Sequence, residues 1–393
     1  MSTGARADSQ HRRPGLSFAG VFAVTFLGLI AVGAVLPVLP HYVKGPLDYG
    51  NVAVGVVIGA FAFTALACRP VAGHFADARG RRRVVAVGAL LTAAGGLLYL
   101  IPAGLPGLIV ARLAVGAGEG SVFTAGATWV VDLAPPGRRG RVIGLYGLAV
   151  WGGLSLGPLI GTALFHAWGF DAVWAFTAIS PLIGALVAMV VPDPFQPVER
   201  PAARRLIARE SVRPGIALSL ATVGYAAMAS FIVLHLAFKH IGHGAAAFTA
   251  FAATVVITRL AGGDLPDRIG PVRCAAAAAA IEAVGLALIA LADSLALALV
   301  GAVGMGIAFA LIYPSLSLIV VNNIADSRRG SALGTFTAFF DIGFAVGGPL
   351  TGVAASLGGY PAAFWLGSAC AVAAIGVASA LRTASTSPAP AAG

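Results

Sequence analysis

The residues with most chemical potential in this sequence are acids inside long apolar stretches. Glu119 sits near the middle of one stretch, Asp341 about twelve residues into another, and Glu282 deep in a third. A charge at the bilayer centre costs roughly 2.5–3.5 kcal/mol on insertion scales, so a carboxyl kept there usually faces a cavity or a partner and suits proton binding and release. Arg112 precedes Glu119 in Arg112-Leu-Ala-Val-Gly116-Ala-Gly118-Glu119-Gly120. Seven residues make two helical turns, which puts both on one face. The glycines permit close packing and leave room for a ligand. Glu119 has an alternative role as a protonated structural carboxyl bonded to a neighbouring helix. For Asp341, proton or substrate contact and helix–helix bonding stand level. His235 is expected to be a bonded packing residue before a titrating one. No H-E-x-x-H, nucleophile elbow or P-loop lysine occurs, so the expectation is a non-enzyme without cofactor or metal, driven by an ion gradient.

The elements that hold these residues follow from composition. The 393 residues are 59% hydrophobic and 10% charged, with mean hydropathy +0.92. Soluble domains carry about 25% charged residues, so this chain has too few to cover a water-facing surface. A span needs about 20 apolar residues. Breaks at Pro, Gly and charge clusters predict twelve spans: 17–43, 51–76, 83–103, 106–132, 140–166, 171–192, 213–238, 245–265, 272–292, 295–322, 330–356 and 361–381. The first is too long for a signal-peptide core and reads as an uncleaved span. The domain plan is a tail at 1–16, six helices at 17–192, a linker at 193–212, six helices at 213–382 and a tail at 383–393. Cys68, Cys274 and Cys370 are scattered singly and read as small core residues.

The net charge of +10 raises the question of nucleic acid. The positions of the charges exclude it. Of the 25 Lys and Arg residues, Lys44 and Lys239 alone fall in odd-numbered connections, and Arg69, Arg112 and Arg259 fall within spans. The rest occupy even-numbered connections, the first residues of the spans that follow them, and the two ends, the asymmetry of a chain with both termini cytoplasmic. Arginine-rich, Ala/Gly-rich usage points to a bacterial inner membrane.

The chain is internally duplicated. Arg69-Pro-Val-Ala-Gly73-His-Phe-Ala-Asp77-Ala-Arg-Gly80-Arg81-Arg82-Arg83 has a copy 190 residues later, Arg259-Leu-Ala-Gly-Gly263-Asp-Leu-Pro-Asp267-Arg-Ile-Gly270-Pro-Val-Arg273. Both read R-x-x-x-G-x-x-x-D-x-x-G-x-x-R, one charged hairpin per half. Gly73 is expected to let two helices approach, Gly80 to make the left-handed turn, and Asp77 to pair with Arg81 or a helix end. Asp132 to Gly140 matches Asn322 to Gly330, with Arg138 and Arg139 against Arg328 and Arg329, and Gly144 matches Gly334. Gly157-Pro158-x-x-Gly161 matches Gly348-Pro349-x-x-Gly352. In span five, Gly153, Gly157, Pro158 and Gly161 predict a closely packed kink. Pro37 and Pro40 predict a distorted outer end of span one.

The G-x-x-x-D-x-x-G-R-R loop resembles the signature of the major facilitator superfamily. R-x-x-x-G-x-G from Arg112 and G-x-x-x-G-P-x-x-G from Gly153 resemble motifs of its twelve-span drug:proton antiporters. Leu27-Gly28 with Pro37 and Pro40 looks like their first-span motif. The resemblance implies an all-α membrane protein with twelve transmembrane helices in two pseudo-symmetric six-helix bundles and a substrate site between them. Gly73, Asp77, Gly80 and Arg81 would form a cytoplasmic gate, with Asp132 paired to Arg81 or Arg82. Gly263, Asp267 and Gly270 form the weaker copy, and Asn322 in place of an acid makes the latch asymmetric. Arg112 would serve proton coupling with Glu119 or Asp341. Span one lacks the acid that many such exporters carry there. Spans seven and ten line the cavity in this superfamily, so Tyr225, Phe231, Phe309 and Tyr313 would form an apolar pocket or pack as core. Spans three and nine lie outside the pore, which gives Glu282 a structural role. The implied function is proton-coupled efflux of a small lipophilic compound by a monomer in the bilayer. Uptake or exchange of a sugar, carboxylate or other metabolite is the alternative. A non-transporting sensor is disfavoured by the short tails.

Overall fold

The computed structural model describes residues 14–134, 139–193, 208–241, 244–324 and 329–381. Residues 1–13 of the expected first tail, the second tail at 383–393, the linker arginines Arg200, Arg204 and Arg205, and the duplicated Arg138 and Arg328 lie outside them, as do the side chains of Arg139 and Arg329. The described residues form helices and connecting turns. These are α1 (Pro14–Val35), α2 (Leu39–Lys44), α3 (Asn51–Arg79), α4 (Arg81–Leu98), α5 (Gly104–Leu133), α6 (Arg139–Trp168), α7 (Phe170–Val190), α8 (Val212–Phe238), α9 (Gly244–Gly262), α10 (Leu265–Ile269), α11 (Pro271–Leu291), α12 (Leu295–Asn322) and α13 (Arg329–Ser379). By length and composition, 10 of the described helical segments can cross a membrane.

The breaks have local causes. Between α1 and α2 the backbone changes to tighter bonds, Leu36 N–H to Gly33 O and Val38 N–H to Val35 O. Pro37 has no N–H to continue an i→i−4 ladder. The 51 residues of α13 are two helices meeting at Gly358 and Gly359, where Gly359 has φ 73° and ψ 177°, a backbone region essentially reserved for glycine. Gly80 (φ 96°, ψ 148°) and Gly270 (φ 90°, ψ 136°) share that broad region. The two copies of the hairpin thus turn alike, in a more extended conformation than the expected left-handed helical one.

Helices α1 to α7 pack chiefly among themselves, as do α8 to α13, and the two sets meet mainly along α3–α13 and α6–α9. The α3–α13 contact is backbone to backbone at the end away from the charged hairpins. A Cβ on Gly55 would run into the Gly348 carbonyl, and one on Gly59 would lie 2.6 Å from Ala345 O. Asn51 Nδ2 donates to Ala355 O at 3.1 Å. Along α6–α9, Ser155 Oγ donates to Ala252 O at 2.8 Å.

The glycine motif of α6 does its packing inside its own half. Gly153, Gly157 and Gly161 recur every four residues on one face, and a Cβ on each would strike α1 backbone at Ile30 or Ala34. Its duplicate differs: Gly348 and Gly352 pack on α3 of the other half. Identical motifs hence seal different interfaces. Gly73 corrects an expectation, since an added Cβ would meet only Thr124 Cγ2 at 3.9 Å, an ordinary contact. Helix α3 is not drawn close there; its tight approach lies at Gly55 and Gly59.

Candidate functional site

An ion pair joins the halves between their hairpins and the membrane centre. Asp341 of α13 accepts from Arg69 of α3 through both oxygens, Nε to Oδ2 at 2.6 Å and Nη2 to Oδ1 at 3.1 Å. Asp341 is 4% exposed. The bidentate geometry is the strong form of a charge-assisted bond. Arg69 also lies over the Phe123 ring, 4.8 Å from its centroid. Of the roles open to Asp341, the structure gives it helix–helix bonding across the halves. Arg69 was assigned no site role from sequence. Its signal was there: it opens the duplicated motif and lies in the membrane.

Glu119 of α5 is 3% exposed, and neither carboxyl oxygen has a hydrogen-bond partner. Its oxygens press on Gly28 of α1, where a Cβ would overlap Oε1. Gly28 therefore makes the space for this carboxyl. Arg112, though on the same helix, does not join it. Arg112 is fully buried, donates to Val57 O at 3.1 Å and Ile58 O at 3.2 Å, and stacks on Phe61. It clamps α5 to α3. The room for a ligand expected beside Gly116, Gly118 and Gly120 is taken by neighbouring helices: Gly116 and Gly120 abut α3 backbone, and Gly118 abuts Gly88 and Thr92 of α4.

Tyr225 packs on Phe309, and Phe309 and Tyr313 line one cleft, whereas Phe231 packs elsewhere, on Tyr360 at 6.0 Å. Tyr225 lies 4.7 Å from Phe309 and 5.2 Å from Phe344 between centroids. Phe309 meets Phe251 at 5.6 Å and Trp151 edge-on at 5.0 Å. Trp151, Phe309, Tyr313 and Phe340 line a narrow cleft. Tyr313 shares a 2.8 Å hydrogen bond with Thr337 and lies close enough to Arg69, Arg259 and Asp341 to interact electrostatically. Trp151 and Phe340 were not singled out in sequence, because a lone aromatic in an apolar run gives no sign of where it points.

At the first hairpin, Arg81 Nε lies 2.8 Å from Asp132 Oδ2 and Arg81 Nη2 lies 3.8 Å from Asp77. At the second, Arg268 pairs with Asp264 within the loop. Asp132 is half exposed but Arg81 is buried, with Asp77 still 3.8 Å away, so Asp132→Asn should destabilise by about 1–3 kcal/mol, checked by thermal unfolding in detergent. His235 Nε2 lies 3.0 Å from Ile289 O, a packing bond. Glu282 is buried against Gly224, its oxygens unpartnered. A separate vestibule of about 480 Å³, with His41, His166 and His240 among its lining, opens at the end away from the hairpins.

Helices long and apolar enough to cross a membrane, joined across two sets by a buried ion pair, describe a polytopic membrane protein. The family model described as the Major Facilitator Superfamily matches residues 21–247 and 215–393, and the chain belongs to that superfamily of cofactor-free secondary transporters. It is 32% identical over 361 residues to an uncharacterised MFS-type transporter of Salmonella typhimurium, covering 90% of this chain and 93% of the relative. It is 33% identical over 377 residues to one of Burkholderia mallei, covering 93% and 92%. Among solved structures it resembles a nucleoside transporter, NupG (TM-score 0.78, 14% identity, 93% of this chain and 99% of that one). It also resembles the human organic anion transporter MFSD10 (TM-score 0.72, 18% identity, 93% and 99%). At these identities the structural likeness speaks for the fold alone.

Proposed function

We propose that this transporter exchanges protons for a small lipophilic compound by alternating access, exporting the compound across a bacterial inner membrane. Counting α4 and both arms of α13 makes twelve spans in two six-helix halves at 17–192 and 213–382, with both ends in the cytoplasm. The hairpins of Gly73, Asp77, Gly80 and Arg81 and of Gly263, Asp267 and Gly270 serve as the cytoplasmic gate, and the monomer is the working unit.

One observation carries the reading: the buried, unpartnered carboxyl of Glu119. An ionised carboxylate without partners is very costly in an apolar interior, so the protonated acid suits this conformation. When rocking of the halves admits water, the acid can release its proton. A proton can shift the balance between two states only if it binds them unequally, and an acid dry in one state and wet in the other meets that condition. Arg69 and Asp341 bind the halves in the dry state.

The test is proton movement in inside-out vesicles bearing the protein, read with a pH-sensitive dye during addition of lipophilic compounds. Substrate-dependent proton release is expected in the wild type and is expected to fall at least tenfold in Glu119→Gln. Undiminished coupling in that variant would remove Glu119 as the carrier. The alternative of carboxylate uptake or exchange gains from a second observation: Arg259 Nε and Nη2 are buried without a hydrogen-bond partner.

A further inference from the structure

Arg259 is the copy of Arg69, and the copy of Asp341 is Trp151, by the same offset. The structure brings the second pair together as it does the first: the Arg259 guanidinium lies over the Trp151 ring, 4.4 Å from its centroid. In one half the arginine meets a carboxylate, and in the other it meets an aromatic face. Arg259 Nε and Nη2 are buried and have no hydrogen-bond partner. Asp341 does not supply one, because both its oxygens are held by Arg69. A ring face attracts a cation but accepts no in-plane N–H bonds, so two donors of a planar fork stay unused beside the narrow cleft.

We propose that Arg259 is the anchor for an anionic group of the transported compound, a carboxylate or a group of the same shape. The substrate takes the place that an aspartate fills in the other half. The fork of Arg259 matches a carboxylate bidentately. Trp151, Phe309 and Phe340 line the narrow cleft beside this fork, and their mutual edge-on contacts must part to admit the apolar portion of the same molecule. The class assigned is therefore an aryl or arylalkyl carboxylate. This deepens the proposed function and rests on its reading of the chain as a transporter of small, largely apolar compounds.

The test uses the full-length protein in lipid nanodiscs and direct binding of matched pairs: 1-naphthoate against 1-naphthamide, 4-butylbenzoate against 4-butylbenzamide, and indole-3-acetate against its amide. At least one carboxylate is expected to bind tenfold or more tightly than its amide. That preference should vanish in Arg259→Gln and in Trp151→Asp, which gives Arg259 the internal acid of the other half. The proposal is overturned if no carboxylate is preferred, or if the preference survives either substitution. Should Arg259→Gln fail to fold, Trp151→Asp decides alone. The outcome is separate from proton coupling. A wild-type protein that exchanges protons but prefers no carboxylate over its amide defeats the anchor and leaves the coupling. Coupling that persists in Glu119→Gln, with the preference intact, does the reverse.

Discussion

Asp341→Asn is expected to destabilise the protein by about 3–5 kcal/mol, the usual cost of removing one partner from a buried ion pair. Arg69 would keep its charge in a largely buried place, with one amide oxygen, the Phe123 ring and the more distant Glu119 in place of a bidentate carboxylate. Arg69→Gln should cost a similar amount, since it strands the carboxylate. The double variant Arg69→Gln, Asp341→Asn should recover much of the loss, because two neutral amides of similar shape leave no bare charge behind. Thermal unfolding of the four proteins in one detergent closes the cycle, whose coupling term isolates the pair. Wild-type stability in Asp341→Asn would mean that the pair contributes nothing. The functional consequence is distinct. The two residues are 272 apart in sequence and belong to different halves, so a state in which the halves separate at this depth must part them. The double variant should therefore regain stability without regaining regulated, substrate-dependent proton exchange.

The second large effect is expected from Gly55→Leu. The residue faces the Gly348 carbonyl with no space for even a Cβ, and overpacking of a well-packed site typically costs 1–3 kcal/mol. Here the obstacle is helix backbone, which cannot rotate aside as a side chain can. The α3–α13 seal should open at its far end, taking the Asn51 to Ala355 contact with it. In a protein with Cys68, Cys274 and Cys370 replaced by serine, cysteines at 51 and 355 should be joined efficiently by a short bifunctional reagent. Gly55→Leu should lower that yield at least tenfold and abolish transport. An unchanged yield would show that this seal tolerates bulk and is not what closes that end of the protein.

Much of the architecture was legible before any coordinates. Apolar run length, the scarcity of charge and the placement of Arg and Lys located the membrane segments, because hydrocarbon tolerates little but satisfied, apolar helix. The duplicated hairpin announced two related halves, and the comparable turns at Gly80 and Gly270 follow from a steric rule that acts on single residues. Glu119 and Asp341 drew notice for the same local reason, the cost of a charge in an apolar run. The candidate site itself was only partly legible. Arg69 and Arg259 headed the repeat, but nothing local indicates that one reaches a carboxylate and the other a tryptophan.

The sequence by itself determined that this chain is a duplicated, helical membrane protein with acids and arginines held where they are expensive. These are consequences of transfer energies and helix geometry, which each segment expresses on its own. Only the tertiary structure decided which of those groups meet. Asp341 is paired, Glu119 is bare against Gly28, Arg112 is bound to backbone, Gly73 is loose, and the same glycine motif seals α6 to α1 in one half but α13 to α3 across the halves in the other. Pairing depends on the rotation and spacing of helices far apart in sequence, and two copies of one motif can face different neighbours. That relation is set by the packing of the whole bundle and is carried by no single segment.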